Sequence, residues 1–284
     1  MLAVKGDHPH KLVMSATPIP RTLGLILYGD LDISIIDEMP KGRQKIETYA
    51  VTGKLRERAM RFVKAQIDEG HQAYIVCPMI DDDPRGDMQS VIAYADSLRD
   101  TVLGGYDIGL LHGRLPADEK DRIMSGFKTG DIQILVSTTV IEVGVDVPNA
   151  TIIMIESAER FGLAQLHQLR GRVGRGSGKS YCILLTDDPN DEAVERLRIM
   201  SKISDGFAIA EEDLRLRGAG EFFGVRQSGA GQFRIADIYD HDLLSDTNRA
   251  VNMMFDKSPD LSLYPLLRER AEHLVMFNGE EGMN

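Results

Sequence analysis

Between residues 46 and 190, short continuous apolar runs alternate with longer amphipathic stretches, and this alternation limits the possible folds more than any other feature. The apolar runs are "QAYIVCPMI", "IGLLHG", "IQILVST", "TIIMIES" and "SYCILLT", and "IETYAV" before them is strand-like. A strand that is apolar at successive positions needs cover on both faces. The stretches "KLRERAMRFVKAQIDEG", "QSVIAYADSLRD" and "PADEKDRIMSGFKTG" repeat their apolar residues at helical spacing and can supply that cover. The pattern predicts an α/β fold: a mostly parallel sheet flanked by helices. From about residue 190 the strands stop, and "DEAVERLRIMSKI", "GFAIAEEDLRLRG" and the C-terminal residues read as helices and loops. Before residue 46, "HKLVMSAT" and "DISIID" read as short strands around a helix, closed by the Pro/Gly-marked break "EMPKGRQK".

The stretch "GRVGRGSGKSYCILLT" contains Gly-Lys-Ser and suggests a phosphate-cradling loop. Such a loop needs a glycine five positions before Gly178, and Val173 stands there. It also leads from a strand into a helix, whose N-terminus holds the phosphate. Here a helix-like segment precedes and a strand-like segment follows, so the P-loop reading fails. Glycine instead permits the tight turn into the strand, and Lys179 reads as a surface or DNA-facing residue.

The formal net charge is −11, which argues against indiscriminate nucleic-acid binding but not against a local basic groove. The two cysteines, Cys77 and Cys182, sit in apolar runs and read as buried core thiols. No metal-ligand spacing occurs, and the acids of "DDDPRGDM" read as a solvated loop. No signal peptide and no membrane-spanning run is visible, which suits a reducing cytoplasm.

Three strings carry the chemistry: "SATPIPRT" at Ser15–Thr22, "VSTTVIEVGVDVPNA" at Val136–Ala150, and "QLHQLRGRVGRG" at Gln165–Gly176. In the last, Gln168, Arg172 and Arg175 are spaced to share one face of a helix. Paired guanidinium groups suit a phosphate whose charge shifts during transfer. They equally suit a solvated helix face or a contact with a nucleic-acid backbone. In the second string, a strand ends in Ser137, Thr138 and Thr139, followed by Glu142, Gly144 and Asp146. Ligands bind at the carboxyl ends of strands in open α/β sheets. The hydroxyls and an amide beside Gly144 can hold a phosphate, and Asp146 can accept from a ribose or order the arginines. A plain strand-end turn fits the same residues. His112 in "LLHGRL" suits either a nucleic-acid contact or a structural role, and His167 has no partner evident from sequence.

In this order and spacing the three strings resemble motifs III, V and VI of superfamily 2 helicases. Longer strings, including "MSATPIPRTLGLILYGDLDISIIDEMPKGR" and "DGFAIAEEDLRLRGAGEFFGVRQSG", are similar to the RecG family of ATP-dependent DNA helicases. The Mfd family of transcription-repair translocases shares several of them, but "YGDLDISIIDE" and "GEFFGVRQSG" lean toward RecG. In this family an ATP site with Mg²⁺ lies between two RecA-like domains, the first of which carries the Walker A loop and the DE-x-H box. Neither is here. "IIDEMP" departs from the box and follows "SAT", whereas the box should precede it, so Asp37 and Glu38 are not those acids.

The resemblance therefore implies a C-terminal part. Residues 1–45 would be a remnant of the first motor domain, 46–190 the second RecA-like domain, and 191–284 a helical translocation hairpin with its extension. Arg172 and Arg175 would complete the ATP site, ordered by Gln168 and Asp146. Gly144 would join the nucleotide site, and with Ser137 and Thr138 it would contact DNA. Arg196, Arg217 and Gln227 match a polar network that couples hydrolysis to movement. The implied partners are branched double-stranded DNA and the missing wedge and first motor domain of the same protein; the implied location is the bacterial cytoplasm. A rival from another class is a non-catalytic module that binds DNA or a protein and never meets ATP. The residues that hold the β- and γ-phosphates and Mg²⁺ in such motors are absent from this chain. The chain alone is therefore expected to show no DNA-stimulated ATP turnover, and an assay with forked DNA checks this: robust hydrolysis would overturn the half-motor expectation.

Overall fold

The computed structural model describes residues 44–78, 84–138, 146–187, 190–217 and 241–280, with Leu12, Met14, Ser34, Ile36 and Glu38. The elements expected before residue 44 lie outside these residues. The described chain opens with β1 (Glu47–Thr52), a short 3-10 turn (Gly53–Leu55) and α1 (Arg56–Asp68). It continues through β2 (Gln72–Val76), α2 (Pro84–Leu98), β3 (Ile108–Leu111), α3 (Ala117–Thr129) and β4 (Ile134–Ser137). Then come β5 (Ala150–Ile155), a 3-10 turn (Ala158–Arg160), α4 (Leu163–Arg170), β6 (Tyr181–Thr186) and α5 (Asp191–Lys202). The helices α6 (Gly206–Arg217), α7 (His241–Lys257) and α8 (Pro265–Glu280) complete it.

The six strands form one sheet in the order β1-β6-β5-β2-β4-β3, and every neighbouring pair is parallel. Every residue of β2, β4 and β5 is buried, whereas the edge strands β1 and β3 are only partly covered. Alternate residues serve the two faces. Ala73, Ile75, Ile134, Val136, Ile152 and Met154 belong to a core with Met60 and Val63 of α1 and Val91 and Leu98 of α2. Their neighbours Tyr74, Leu135, Ile153 and Leu184 are also buried and point to the opposite face. Tyr74 pairs with Leu135 on one side and Ile153 on the other, and its ring meets Phe127 of α3 at 4.9 Å. The helix ends follow the usual chemistry. Gly130 ends α3 in the left-handed region at φ 89°, and the Asn190 side chain caps α5 by accepting from the Ala193 N–H at 2.8 Å.

The strand order reverses around β2. The next strands in sequence, β3 and β4, lie on one side of it, and β5 and β6 lie on the other. Such a switch point opens a crevice at the carboxyl ends of the strands. Cys77, Thr138 and Glu156, the residues immediately after β2, β4 and β5, stand there.

The chain divides into two compact units, residues 1–18 with 37–210 and residues 19–36 with 211–284. The first holds the sheet. It also holds α5, which packs on β1, on α4 and on the Ala158–Arg160 turn. The boundary expected at residue 190 thus falls before a helix that belongs with the sheet. In the second unit, α7 and α8 are joined by a turn in which the buried Ser258 hydroxyl accepts from the Leu263 N–H at 3.2 Å.

Phe127 is fully buried against Tyr74, and its carbonyl accepts from Gln72 Nε2 at 2.5 Å. Truncation leaves a cavity at the junction of α3 with the sheet. Phe127→Ala is expected to cost about 3–5 kcal/mol, read as a lowered midpoint in urea unfolding.

Candidate functional site

The sequence places Arg172 and Arg175 on a helix, but the structure does not. The helix α4 ends at Arg170, with Gly171 as its C-cap. The chain then turns, with the Arg172 N–H donating to Leu169 O and the Val173 N–H to Arg170 O. Val173 is fully buried and anchors the turn. Gly174 lies at φ 77°, and a Cβ there would come within 2.9 Å of Ile46. At Gly176 a Cβ would meet the Pro148 carbonyl oxygen at 2.6 Å. Both positions need glycine, one for its dihedral and the other for close backbone approach. The glycine run therefore stitches the turn to the segments that lead into β1 and β5. The exposed Lys179 follows just before β6, so no helix takes up the role a P-loop needs.

On this turn, Arg175 Nη1 stands 3.7 Å from Asp146 Oδ1. The turn thus brings together Asp146 and Arg175, from the second and third sequence strings. Arg175, Arg172 and Asp146 all act on the buried Tyr74 hydroxyl. Burial pushes that hydroxyl up to about 12, while the two arginines pull it down and Asp146 pushes it up. The site is therefore a charged cluster over a buried phenol, with one arginine loosely paired. Gln168 is exposed in the last turn of α4.

At the carboxyl ends of the strands, Ser137 is fully buried and Thr138 is 4% exposed. Neither hydroxyl has a hydrogen-bond partner among the described residues. The sequence reading put them in contact with a DNA backbone, whereas in this structure they lie beneath the surface. Unpaired buried hydroxyls are uncommon and invite a ligand oxygen or a water. Thr139, Glu142 and Gly144 lie outside the described residues.

A second polar cluster at the same edge was not read from sequence. Arg56 of α1 donates to the Glu156 carboxylate and, at 2.7 Å, to Asp187. The Tyr94 hydroxyl donates to Glu156 Oε1 at 2.5 Å. Burial pushes the Tyr94 hydroxyl far up, and the Glu156 charge adds to it. Burial pushes the adjacent Cys77 thiol up to about 12, again with help from Glu156. The signal available was the acid that ends the apolar run "TIIMIES", a carboxylate too deep to lack a cation. These residues line a cavity of about 510 Å³, and they satisfy one another.

Arg196 lies on α5, with Nη1 donating to Phe161 O at 3.4 Å and Nη2 3.7 Å from Glu192. Its Nε is buried without a partner among the described residues, as is one carboxylate oxygen of Glu159. Arg217 ends α6, but its side chain and all of Gln227 lie outside the described residues. The expected network is therefore represented here by Arg196 alone. His167 does have a partner, since its Nδ1 lies 3.0 Å from Arg170 Nη2. His112 follows β3 with Nδ1 buried and without a partner among the described residues. Burial lowers its pKa, and Lys120 adds to the effect.

The parallel sheet and the arginine turn after α4 define a RecA-like helicase motor domain, and residues 54–177 match the helicase conserved C-terminal domain. Residues 203–271 match a second model, described as ATP-dependent DNA helicase RecG, domain 3, C-terminal. The ATP-dependent DNA helicase RecG of Bacillus subtilis is 47% identical over 283 residues, covering 98% of this chain and 41% of the relative. That of Synechocystis is 48% identical over 279 residues, covering 96% of this chain and 34% of the relative. A solved structure of RecG bound to a three-way DNA junction superposes with a TM-score of 0.65 at 46% identity, covering 84% of this chain and 32% of that one. Over nearly its whole length the chain is similar to RecG helicases, and the second matched model is that of a C-terminal domain of RecG. The chain spans about two fifths of the length of the Bacillus subtilis relative. Among the described residues no helix is long and apolar enough to cross a membrane, and no His, Cys, Asp or Glu cluster is placed to hold a metal.

Asp146 and Arg175 are both solvent-accessible and their closest approach is long, so their pairing contributes at most about 1 kcal/mol. Asp146→Asn is expected to move the thermal midpoint of the chain by no more than a few degrees. Calorimetry checks this, and a large drop would show that the pair holds the fold.

Proposed function

We propose that this chain is the C-terminal part of an ATP-driven translocase that remodels branched duplex DNA, at stalled replication forks and Holliday junctions, in repair and recombination. The observation that carries this reading is the anchored turn beyond α4. It presents Arg172 and the exposed Arg175, whose pairing with Asp146 is loose enough to be given up to an anion. Two guanidinium groups on a rigid turn fit a triphosphate whose γ-phosphoryl gathers charge as it transfers. ATP with Mg²⁺, held mainly by the first motor domain of the same protein, supplies the phosphoryl group. The role of this chain is to place Arg172 and Arg175 against the phosphates when the cleft closes. Asp146 then orients Arg175, and Gln168 faces the cleft from α4.

The carboxyl ends of β3 and β4 take the DNA backbone, with the Ser137 and Thr138 hydroxyls meeting phosphate oxygens once uncovered. The segment from α5 onward is the lever: Arg196, Arg217 and Gln227 link closure of the cleft to movement against the duplex. Such a protein works in the bacterial cytoplasm with the nucleoid, with this part joined to a wedge and a first motor domain of the same protein.

The test uses a full-length RecG-family protein carrying this chain as its C-terminal part. Arg172→Ala and Arg175→Ala are each expected to lower DNA-stimulated hydrolysis about a hundredfold or more, with little change in affinity for forked DNA. Normal hydrolysis combined with weaker binding and a shallower salt dependence would instead make the two arginines backbone contacts.

A further inference from the structure

Arg170 sits in the same string as Arg172 and Arg175 but is used differently. It is the last residue of α4 and only 4% exposed. Its Nη1 donates to Met200 O at 2.9 Å and to Ile203 O at 2.8 Å. Its Nη2 donates to Ser204 O at 3.2 Å and meets His167 Nδ1 at 3.0 Å. The partners are carbonyls and a ring nitrogen, with no carboxylate among them. The carbonyls belong to the end of α5 and its exit, where a helix leaves backbone acceptors unpaired and carries partial negative charge.

The grip falls on a joint. Ile203–Asp205 is the whole link between α5 and α6, and Asp205 starts α6 by accepting from the Ala208 N–H through Oδ1 at 2.8 Å. The guanidinium therefore holds one side of this elbow while Asp205 caps the other. Its backbone is already part of the turn that carries Arg172, since the Val173 N–H donates to Arg170 O. A buried cation is costly, and an apolar residue of similar volume would fill the space at less expense. A planar fork that reaches carbonyls at residues 200, 203 and 204 supplies what an apolar residue cannot, a fixed geometry between two segments.

We infer that Arg170 is a positioning residue that ties the arginine turn to the α5–α6 elbow, so that a shift in one is passed to the other. Its consequence for translocation rests on the functional reading above, but the tie itself does not. Lysine keeps the charge but ends in one nitrogen, which cannot span the same acceptors. Arg170→Lys is therefore the informative variant, and Arg170→Met removes the charge as well.

Two measurements test the inference. The first is amide hydrogen exchange on this chain. In Arg170→Lys, the amides of Ile203, Ala208 and Ile209 at the elbow and those of Arg172 and Val173 in the turn should all exchange roughly tenfold faster or more. Amides of β2 and β5 should be unchanged. Faster exchange at the elbow alone would make Arg170 a plain helix cap, and a uniform increase would make it a general brace; either result overturns the tie. The second compares two rates in a full-length RecG-family protein carrying this chain. Arg170→Lys should keep DNA-stimulated hydrolysis within about threefold while fork unwinding per ATP falls about tenfold or more. Equal losses in both rates, or none in either, would overturn the coupling role. If the unmutated protein fails to hydrolyse ATP on DNA, the functional reading falls, and the exchange experiment still decides on the tie.

Discussion

The rest of the molecule depends on the burial of β2, β4 and β5 on both faces. A strand with no solvent side needs helices above and below, and parallel neighbours need crossovers long enough to contain them. That requirement sends each connection across the sheet and collects the carboxyl ends of all the strands along one edge. Cys77, Thr138 and Glu156 come together there although they are far apart in sequence. The arginine turn lies on the other side of this logic. Because α4 runs back from the carboxyl end of β5, the turn after it comes to rest against Pro148 and Ile46, where the chain enters β5 and β1.

Much of this was legible in the sequence because the signals were local. Continuous apolar runs marked five of the six strands and a strand-like stretch the first, and the failed P-loop spacing correctly turned "RGSGKS" into a connection. What escaped was geometry that depends on distant partners. Helical spacing suggested one face for Gln168, Arg172 and Arg175, but the helix ends at Arg170 with Gly171 as its cap, and Gly174, at positive φ, turns the chain between the two arginines. Periodicity cannot detect a helix end when arginine, a good helix former, stands between the glycines. Arg56 is one of several charges in the stretch "KLRERAMRFVKAQIDEG", and only the fold brings it to Glu156, a hundred residues away.

The three arginines of "RGRVGR" show why residue type alone does not assign a role. Arg170 is buried and spends its donors on backbone carbonyls, whereas Arg175 is exposed and shares only a long contact with an acid. The difference comes from where each Cα sits relative to the helix end. The last helical residue points back along its own helix, here onto α5, while residues beyond it follow the turn. An identical side chain thus becomes a structural pin at one position and an available cation a few residues later.

The pairing of β1 with β6 has a consequence for how the protein is made. Glu47 lies beside Tyr181, so the first strand of the sheet waits for the last to emerge before it gains a neighbour. During synthesis the β2–β5 core can assemble while β1 remains unpaired, and closing that long loop comes late. The turn that carries Arg172 and Arg175 leads directly into β6 and packs on Ile46 beside β1. Arg172 and Arg175 therefore reach their places in the structure only as the sheet is sealed, which keeps an incompletely folded domain from presenting them in their final geometry.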